Sequence, residues 1–286
     1  MVGVRPETKH YGVIMDSSSP PIPRKKRFLI RLRVRTLMVL VLLVAGGLGW
    51  VVNRARIQRD AIARIDRSGG WLMFDDQVDE NGLNRTPSTP AWQGWVGRTL
   101  GDDFVRKPRN LFMNGRPRGP LSEETWRAMA DLTDLVAIHL PGDDVDDGRL
   151  ASLKRFHNLR VLDLSDNDRV TNAGIAHLAN LDRLMNLRLG WTGIDDVGLI
   201  HLKKLTRLQY LDLTGTRITD AGSPHLKLLG RVEFLDLQGT GVTDAALNEI
   251  GAMANLKEVV LPIKGVTAEG VATLKRLAPR LRIQRL

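Results

Sequence analysis

The C-terminal part of the chain repeats one pattern of hydrophobic and polar positions every 24 or 25 residues. Each copy begins with L-x-x-L-x-L, whose alternation predicts a short strand, and continues with helical spacing, as at Leu226 and Leu229. The aligned strand positions are Ile138, Leu162, Leu187, Leu211, Leu235 and Val259. The pattern therefore predicts units made of a strand, a turn and a helix of about eight to ten residues.

Two less regular copies flank this series. A degenerate strand lies at Leu111-x-Met113, and residues 281–283 have the pattern of a last strand without its helix. Because a single unit cannot bury either of its apolar faces, consecutive units have to stack. We expect residues 111–286 to form an α/β solenoid, a horseshoe with a parallel inner sheet and outer helices.

Polar and small residues also recur at fixed places in the unit. A side-chain oxygen at a helix start accepts a hydrogen bond from a free backbone N–H; the residues there are Thr219, Thr243 and Thr267. One turn position is expected to bond the backbone of the neighbouring coil; it holds Asn167, Thr192, Thr216 and Thr240. Glycines in the first helical turn are expected to let adjacent helices approach; they are Gly174, Gly198 and Gly222.

The N-terminal quarter has a different pattern. Residues 1–35 lack a sustained period and end with seven Lys and Arg residues between Arg24 and Arg35, which indicates a disordered, basic tail. Residues 36–53 carry no charge, and as a helix they would extend about 27 Å, close to the thickness of a hydrocarbon core. We therefore expect a transmembrane helix at 36–53. A cleaved signal peptide is the alternative, with Ala45-Gly46-Gly47 as its cleavage site.

Charge decides the expected orientation and argues against a nucleic-acid partner. The chain has a net charge of +10, but residues 1–70 hold 14 Lys and Arg against 4 Asp and Glu, while residues 71–286 hold 28 of each. A repeat domain that binds nucleic acid would carry its own basic stripe. Seven basic residues precede the apolar run and five follow it closely, so the positive-inside rule places the N-terminus in the cytoplasm and the repeats outside.

The segment between the apolar run and the repeats is expected to close the open end of the stack. Ile57, Ala61 and Ile65 have helical spacing and predict a juxtamembrane helix at 54–70 that Gly69-Gly70 ends. Residues 71–110 are expected to be an N-terminal capping segment, with a strand at 71–78. A ligand pocket around Trp71, Trp92 and Trp95 is the alternative.

No pattern in the sequence indicates catalysis. Phosphate-binding loops, H-E-x-x-H, G-x-S-x-G and paired catalytic carboxylates do not occur, and the chain has no cysteine. His177, His201 and His225 fall on successive helices, whose usual separation is too large for shared metal ligation. The acids of 143–147 coincide with a helix start, which explains them better than calcium. We predict no catalytic residue, metal or cofactor, and we do not expect an enzyme.

Residues 111–286 resemble leucine-rich repeats of the variety L-x-x-L-x-L-x-x-T-x-[IV]-T-D-x-G-L-x-x-L. The stretch RFLIRLRVRTLMVLVLLVAGGLGWVVNRARIQRDAIARIDRSGG is similar to the anchor of a family of bacterial single-span proteins that carry such repeats. The resemblance implies an extracytoplasmic repeat domain on a membrane tether, and it implies no reaction. The chain departs from the T-D pattern at Asn172 and at Asp195-Asp196.

The exposed positions of the strands are the candidate binding surface. Strand residues alternate, so those beside the core leucines face away from the core. Tyr210 and Phe234 are expected to be neighbours, with Asp212 and Asp236 beside them, and adjacent aromatic residues bordered by charge are typical of a protein-binding patch. The predicted partner-binding residues are His139, Asp163, Arg188, Tyr210, Asp212, Phe234 and Asp236. We expect a membrane-anchored module that binds a protein or envelope partner; the alternative is a spacer or self-assembling envelope element without a specific ligand.

Overall fold

The computed structural model describes residues 34–75, 77, 106–113 and 120–285. The chain divides into two compact units, Met1–Gly47 and Leu48–Leu286. The predicted disordered tail lies almost entirely outside the described residues, as do Trp92 and Trp95 of the alternative pocket. The described part of the first unit belongs to helix α1 (Val34–Arg67).

Helix α1 is 34 residues long and covers both segments that the sequence analysis treats as separate helices. Within the described residues it is the one helix whose length and composition suffice to cross a membrane, with a mean hydropathy of 1.8 in its most apolar window. Its apolar side chains between Met38 and Val52 are largely exposed. Gly69 ends the helix at φ +80°, because the N–H groups of Gly69 and Gly70 then reach the carbonyls of Asp66 and Ile65.

The second unit is built on a sheet of nine strands in sequence order, counted over the described residues. The strands are β1 (Trp71–Phe74), β2 (Pro108–Phe112), β3 (Ala137–His139), β4 (Val161–Asp163), β5 (Asn186–Arg188), β6 (Tyr210–Asp212), β7 (Phe234–Asp236), β8 (Glu258–Leu261) and β9 (Arg282–Arg285). Strand β1 pairs antiparallel with β2, and every later pair is parallel. The parallel sheet of the predicted solenoid is confirmed.

The register of the sheet follows the spacing of the repeats. Leu111 pairs with Ile138, Leu162 with Leu187, and Leu211 with Leu235, so the aligned strand positions form one continuous row. The leucines at 162, 187, 211 and 235 are 0% exposed. Stacking therefore buries a single apolar row that no coil could bury by itself.

Helices follow the strands on one side of the sheet. They are α2 (Glu123–Ala130), α3 (Asp147–Leu150), α4 (Asn172–Leu178), α5 (Asp196–Leu202), α6 (Ser223–Lys227), α7 (Leu247–Gly251) and α8 (Ala268–Leu277). Short 3₁₀ segments complete three of these coils, at Ala151–Arg155, Asp220–Gly222 and Asp244–Ala246. The expected helical arm of each unit is present, but in these coils it is partly wound as the tighter 3₁₀ form.

The C-terminal half of α1 packs on the first coil. Ala61 and Ile65 are 0% exposed and join the core cluster that contains Leu111 and Met113, whereas Ile57 is 41% exposed. The core of the first coil is therefore closed by the helix that precedes β1, in addition to β1 itself.

Adjacent coils are joined by hydrogen bonds between helix starts. Thr219 caps its helical segment by accepting a bond from the N–H of Ala221, as predicted. Its own N–H and hydroxyl donate to the carboxylate of Asp196 in the preceding coil, at 2.8 and 2.6 Å. The same pairing joins Thr171 to Asp147, Thr243 to Asp220 and Thr267 to Asp244. In these four pairs, an Asp of one coil holds the Thr that begins the helical segment of the next coil; between α4 and α5, Asn172 bonds Asp195 instead.

Glycines in four of the coils make room for such side-chain bonds between coils: Gly174, Gly198, Gly222 and Gly270. A methyl group on Gly222 would overlap the Oδ1 atom of Asp196 and lie 2.9 Å from a methyl of Leu199. Helix approach was the expected reason for these glycines. The structure identifies the approaching group as a hydrogen-bonding side chain of the previous coil, a carboxylate at Gly174 and Gly222 and the amide of Asn172 at Gly198.

We expect Gly222→Ala to lower the free energy of unfolding by about 1–3 kcal/mol, because the added methyl must displace a carboxylate that is bonded to Thr219. Gly230→Ala is the matched control, since nothing lies within 4 Å of its new methyl. Urea unfolding of the full chain in detergent micelles, followed by circular dichroism, measures both. An equal loss in the two variants would contradict this role of Gly222.

The turn position bonds differently from the expectation. Asn167 does reach the neighbouring coil, since its side chain accepts from Val145 N–H and donates to Leu140 O, both at 2.8 Å. The hydroxyls of Thr192, Thr216 and Thr240 instead donate to carbonyls three residues earlier in their own coils. A threonine hydroxyl is shorter than an asparagine side chain and has a single donor. The prediction of hydrogen bonds between coils at this position is therefore wrong for the threonines.

Candidate partner-binding face

The side chains that alternate with the core residues of the strands form two rows on the face of the sheet opposite the core. The middle row consists of His139, Asp163, Arg188, Asp212, Asp236 and Val260. The side row consists of Ala137, Val161, Asn186, Tyr210, Phe234 and Glu258. We call this surface the open face. Not every member is accessible, because Ala137 and Val260 are only 1% and 3% exposed.

Tyr210 and Phe234 form an aromatic pair at the centre of the open face. Their strands are in register, and the rings stack with centroids 4.5 Å apart and planes 3° from parallel. The guanidinium of Arg188 lies 5.4 Å from the centroid of the Tyr210 ring. Burial raises the pKa of Tyr210 above its ordinary value, although Arg188 opposes the shift. The three side chains form a preformed, partly exposed surface with little rotamer freedom left to lose on binding.

The carboxylate of Asp163 is engaged in contacts within the protein. It is only 9% exposed, and its Oδ2 atom lies 3.5 Å from Arg188 Nη1 and 3.7 Å from His139 Nδ1. Burial alone would raise the pKa of the Asp163 carboxyl, but hydrogen bonds from His139 and Ser165, together with the charge of Arg188, bring this pKa to about 2. Asp163 therefore positions Arg188 and has little capacity left for a ligand.

Asp212 and Asp236 are neighbouring carboxylates with a different environment. Each accepts a bond at 2.9 Å from the backbone N–H two residues later, of Thr214 and Gln238 respectively. Neither forms an ion pair with any described residue. Burial and then the charge of Asp212 raise the pKa of Asp236. The two side chains therefore favour a cation beside them.

A second aromatic group, which was not predicted from the sequence, lies at the N-terminal end of the same face. Trp71 stacks on Phe112 at 4.0 Å, and Phe112 stacks on His139 at 4.5 Å. Trp71 is 46% exposed. The sequence did predict a strand at Trp71. Its pairing with β2 could not be predicted, because β1 and β2 are not separated by the repeat spacing. His139 therefore stacks on Phe112 and also contacts the carboxylate of Asp163.

The structure brings five of the seven predicted binding residues together as one patch. These are Arg188, Tyr210, Asp212, Phe234 and Asp236, on β5, β6 and β7. His139 and Asp163 lie beside the patch and are occupied by contacts within the protein. Trp191, an exposed tryptophan in the turn that follows β5, was missed, because a turn residue has no place in a strand alternation.

Comparisons with known proteins agree with the coils described above. A family model described as "Leucine Rich repeat" matches residues 157–179 and 204–222. None of the curated proteins compared with the chain matches it.

Solved structures of two bacterial proteins are similar to parts of the chain. One is an internalin of Listeria monocytogenes, with 23% identity, a TM-score of 0.45, and coverage of 55% of this chain and 43% of that chain. The other is internalin C2 of the same bacterium, with 16% identity, a TM-score of 0.49, and coverage of 79% of this chain and 92% of that chain. The first match thus spans less than half of that internalin, and neither likeness bears on what this chain binds.

Proposed function

Because the chain is a leucine-rich repeat protein, we propose that it is a membrane-anchored interaction module that binds a protein partner through the open face of its sheet. The observation that carries this proposal is the patch on β5, β6 and β7. There, a stacked aromatic pair stands beside two carboxylates that form no ion pair with a described residue. Aromatic residues held rigidly beside charge are the usual anchors of protein interfaces.

The proposal assigns the anchor to residues 36–53 and the repeats to the outside of the cytoplasmic membrane. Exposed apolar side chains from Met38 to Val52 support insertion into a bilayer, and Trp50 suits the interface at its outer end. The larger number of basic residues before the apolar run supports an N-terminus inside. A cleaved signal sequence would have the same composition, so the molecular mass of the mature chain separates the two.

The proposal assigns no reaction to the chain. Among the described residues, no three His, Asp or Glu side chains are grouped to hold a metal ion. Asp163, beside the patch, holds Arg188, and each of the two carboxylates in the patch accepts one backbone hydrogen bond from its own turn. We therefore assign the patch a role in binding only.

Photo-crosslinking in cells tests the proposal. We place benzoylphenylalanine at position 186, in the side row next to Tyr210, or at position 228, where Leu228 is 63% exposed after helix α6. We expect position 186 to give an adduct of one defined mass and position 228 to give none. The adduct should disappear with Tyr210→Ala plus Phe234→Ala, and weaken with Phe234→Leu, which keeps most of the side-chain volume.

Three outcomes would count against this proposal. An adduct of twice the chain mass would favour the alternative, a self-assembling envelope element. Equal adducts from positions 186 and 228 would show contact without preference for the open face. The absence of any adduct from position 186, with the variant present at normal abundance, would remove the face as a binding surface.

A further inference from the structure

In five successive coils the same turn position has a left-handed backbone, and in one of these coils the residue there is a tryptophan. The positive φ angles lie between 58° and 69° in successive coils, at Gly142, Asp166, Trp191, Gly215 and Gly239. Glycine and, to a lesser degree, Asp tolerate this conformation, whereas a bulky residue there costs about 1–2 kcal/mol. Among the described residues, Trp191 is the one large side chain with a positive φ. Neighbouring coils show that the turn does not require it.

Burial does not explain the tryptophan. Trp191 is 60% exposed, which leaves most of its apolar surface in water. One side of the indole rests on Gly215, where a Cβ atom would come within 2.6 Å of ring atoms Cδ2 and Cε3. The ring is therefore held flat at the end of the sheet with much of its surface free. A strained and exposed aromatic residue that the fold does not need points to a ligand.

The same coil departs from its neighbours at two further positions. Arg188 stands where the adjacent coils have Asp163 and Asp212. Gly190 stands where the next coil has Thr214, yet a Cβ there would meet only ordinary contacts, 3.4 Å from Thr214 O and 3.5 Å from Asp212 Oδ1. Glycine is thus not sterically required at 190, and no side chain at this position covers Asp212.

The charges next to Trp191 define the partner chemistry. Asp212 and Asp236 pair in register and form no ion pair with a described residue. Arg188 does not neutralise them, because its guanidinium is directed to Asp163 at 3.5 Å and to the ring of Tyr210. A cation that approaches over Gly190 would reach the carboxylate of Asp212 while its neighbouring groups contact the indole of Trp191.

We infer that Trp191, Asp212 and Asp236 form the anchoring site for a partner segment that carries a lysine or arginine side chain. The basic group pairs with the two carboxylates, and its aliphatic stem or an adjacent apolar residue packs on the free surface of the indole. This inference rests on the proposed function, since it places the recognition site at the edge of the open face and gives the partner a basic, partly apolar contact segment.

Peptide selection on the full chain tests the site. The probe is a random dodecapeptide display library, panned against the chain in lipid nanodiscs, and recovered peptides are synthesised for titration. We expect enrichment of Lys or Arg next to an apolar residue. Trp191→Gly should raise the Kd about tenfold or more, because it removes the indole contact. Asp212→Asn plus Asp236→Asn should do the same and abolish the salt dependence of binding.

Trp191→Gly separates binding from folding, because the next two coils have glycine at this position. Its unfolding midpoint should stay unchanged or rise, since the strain is relieved. The matched control is Leu228→Ala, which removes an equally exposed apolar side chain from the helical side and should leave the Kd unchanged.

The outcomes distinguish this inference from the proposed function. Peptides that lose affinity with Tyr210→Ala plus Phe234→Ala but not with Trp191→Gly would overturn the Trp191 site and leave the open face as the binding surface. Recovered peptides that are acidic or neutral, or no enrichment over an empty nanodisc, would overturn the basic partner. Peptides that none of these variants weakens would contradict both.

Discussion

Replacing Leu211 by alanine is expected to lower the free energy of unfolding by about 2–5 kcal/mol, the usual cost of a leucine-to-alanine cavity in a rigid core. Leu211 is 0% exposed and lies in the sheet between Leu187 and Leu235, to which it pairs in register. The cavity therefore opens between two coils and weakens the contact of both neighbours with the central coil. In a solenoid, each coil depends on its neighbours, so the loss is not confined to one strand.

Urea unfolding of the full chain in detergent micelles, followed by circular dichroism, measures this loss as a shift of the midpoint. Leu228→Ala provides the control, since a leucine that is 63% exposed should change stability by less than about 0.5 kcal/mol. A shift of the same size in both variants would mean that Leu211 does not lie in a shared interior.

Asn167→Leu is expected to cost about 3–5 kcal/mol, although the two side chains have similar volumes. Asn167 is 1% exposed and bonds Val145 N–H, Leu140 O and Leu164 O, each at 2.8 Å. Leucine would leave these buried backbone groups without a side-chain partner, at about 1–3 kcal/mol for each unsatisfied group. The loss includes a contact between coils, because Val145 and Leu140 belong to the preceding one.

Thr216→Val is the comparison that isolates the contact between coils. Thr216 occupies the same turn position and is 4% exposed, but its hydroxyl donates to Leu213 O in its own coil. Valine removes a single bond, so we expect a loss of about 1 kcal/mol. If urea unfolding gave equal losses for Asn167→Leu and Thr216→Val, the bonds of Asn167 to the preceding coil would carry no extra stability.

The register of the coils was predictable because it depends on spacing alone. A step of 24 or 25 residues returns the chain to the same place in the next coil, so the pairing of Tyr210 with Phe234 follows from counting. The caps at Thr219, Thr243 and Thr267 were equally predictable, since a helix start needs an acceptor wherever it falls.

Features that depend on reach and backbone strain were not predictable. The spacing predicted that Asn167 and Thr192 both bond the neighbouring coil. The number of donors and the length of the side chain decide which coil each residue bonds. The alternation pattern predicted the same role for Asp163 and Asp212. Asp163, however, lies next to Arg188 on the following strand and forms an ion pair with it. Trp191 escaped notice because its significance lies in a positive φ.

The measurement that tests the central claim most directly is cysteine labelling on intact cells. The chain contains no cysteine, so Asn186→Cys and Leu228→Cys each introduce one thiol, on the open face and on the helical side respectively. A membrane-impermeant maleimide should label Leu228→Cys fully. It should label Asn186→Cys less than in the purified chain, and Tyr210→Ala plus Phe234→Ala should restore that labelling, because the partner no longer covers the face. Labelling of neither thiol before lysis would contradict the outside location, and equal labelling of both would contradict a partner on the open face.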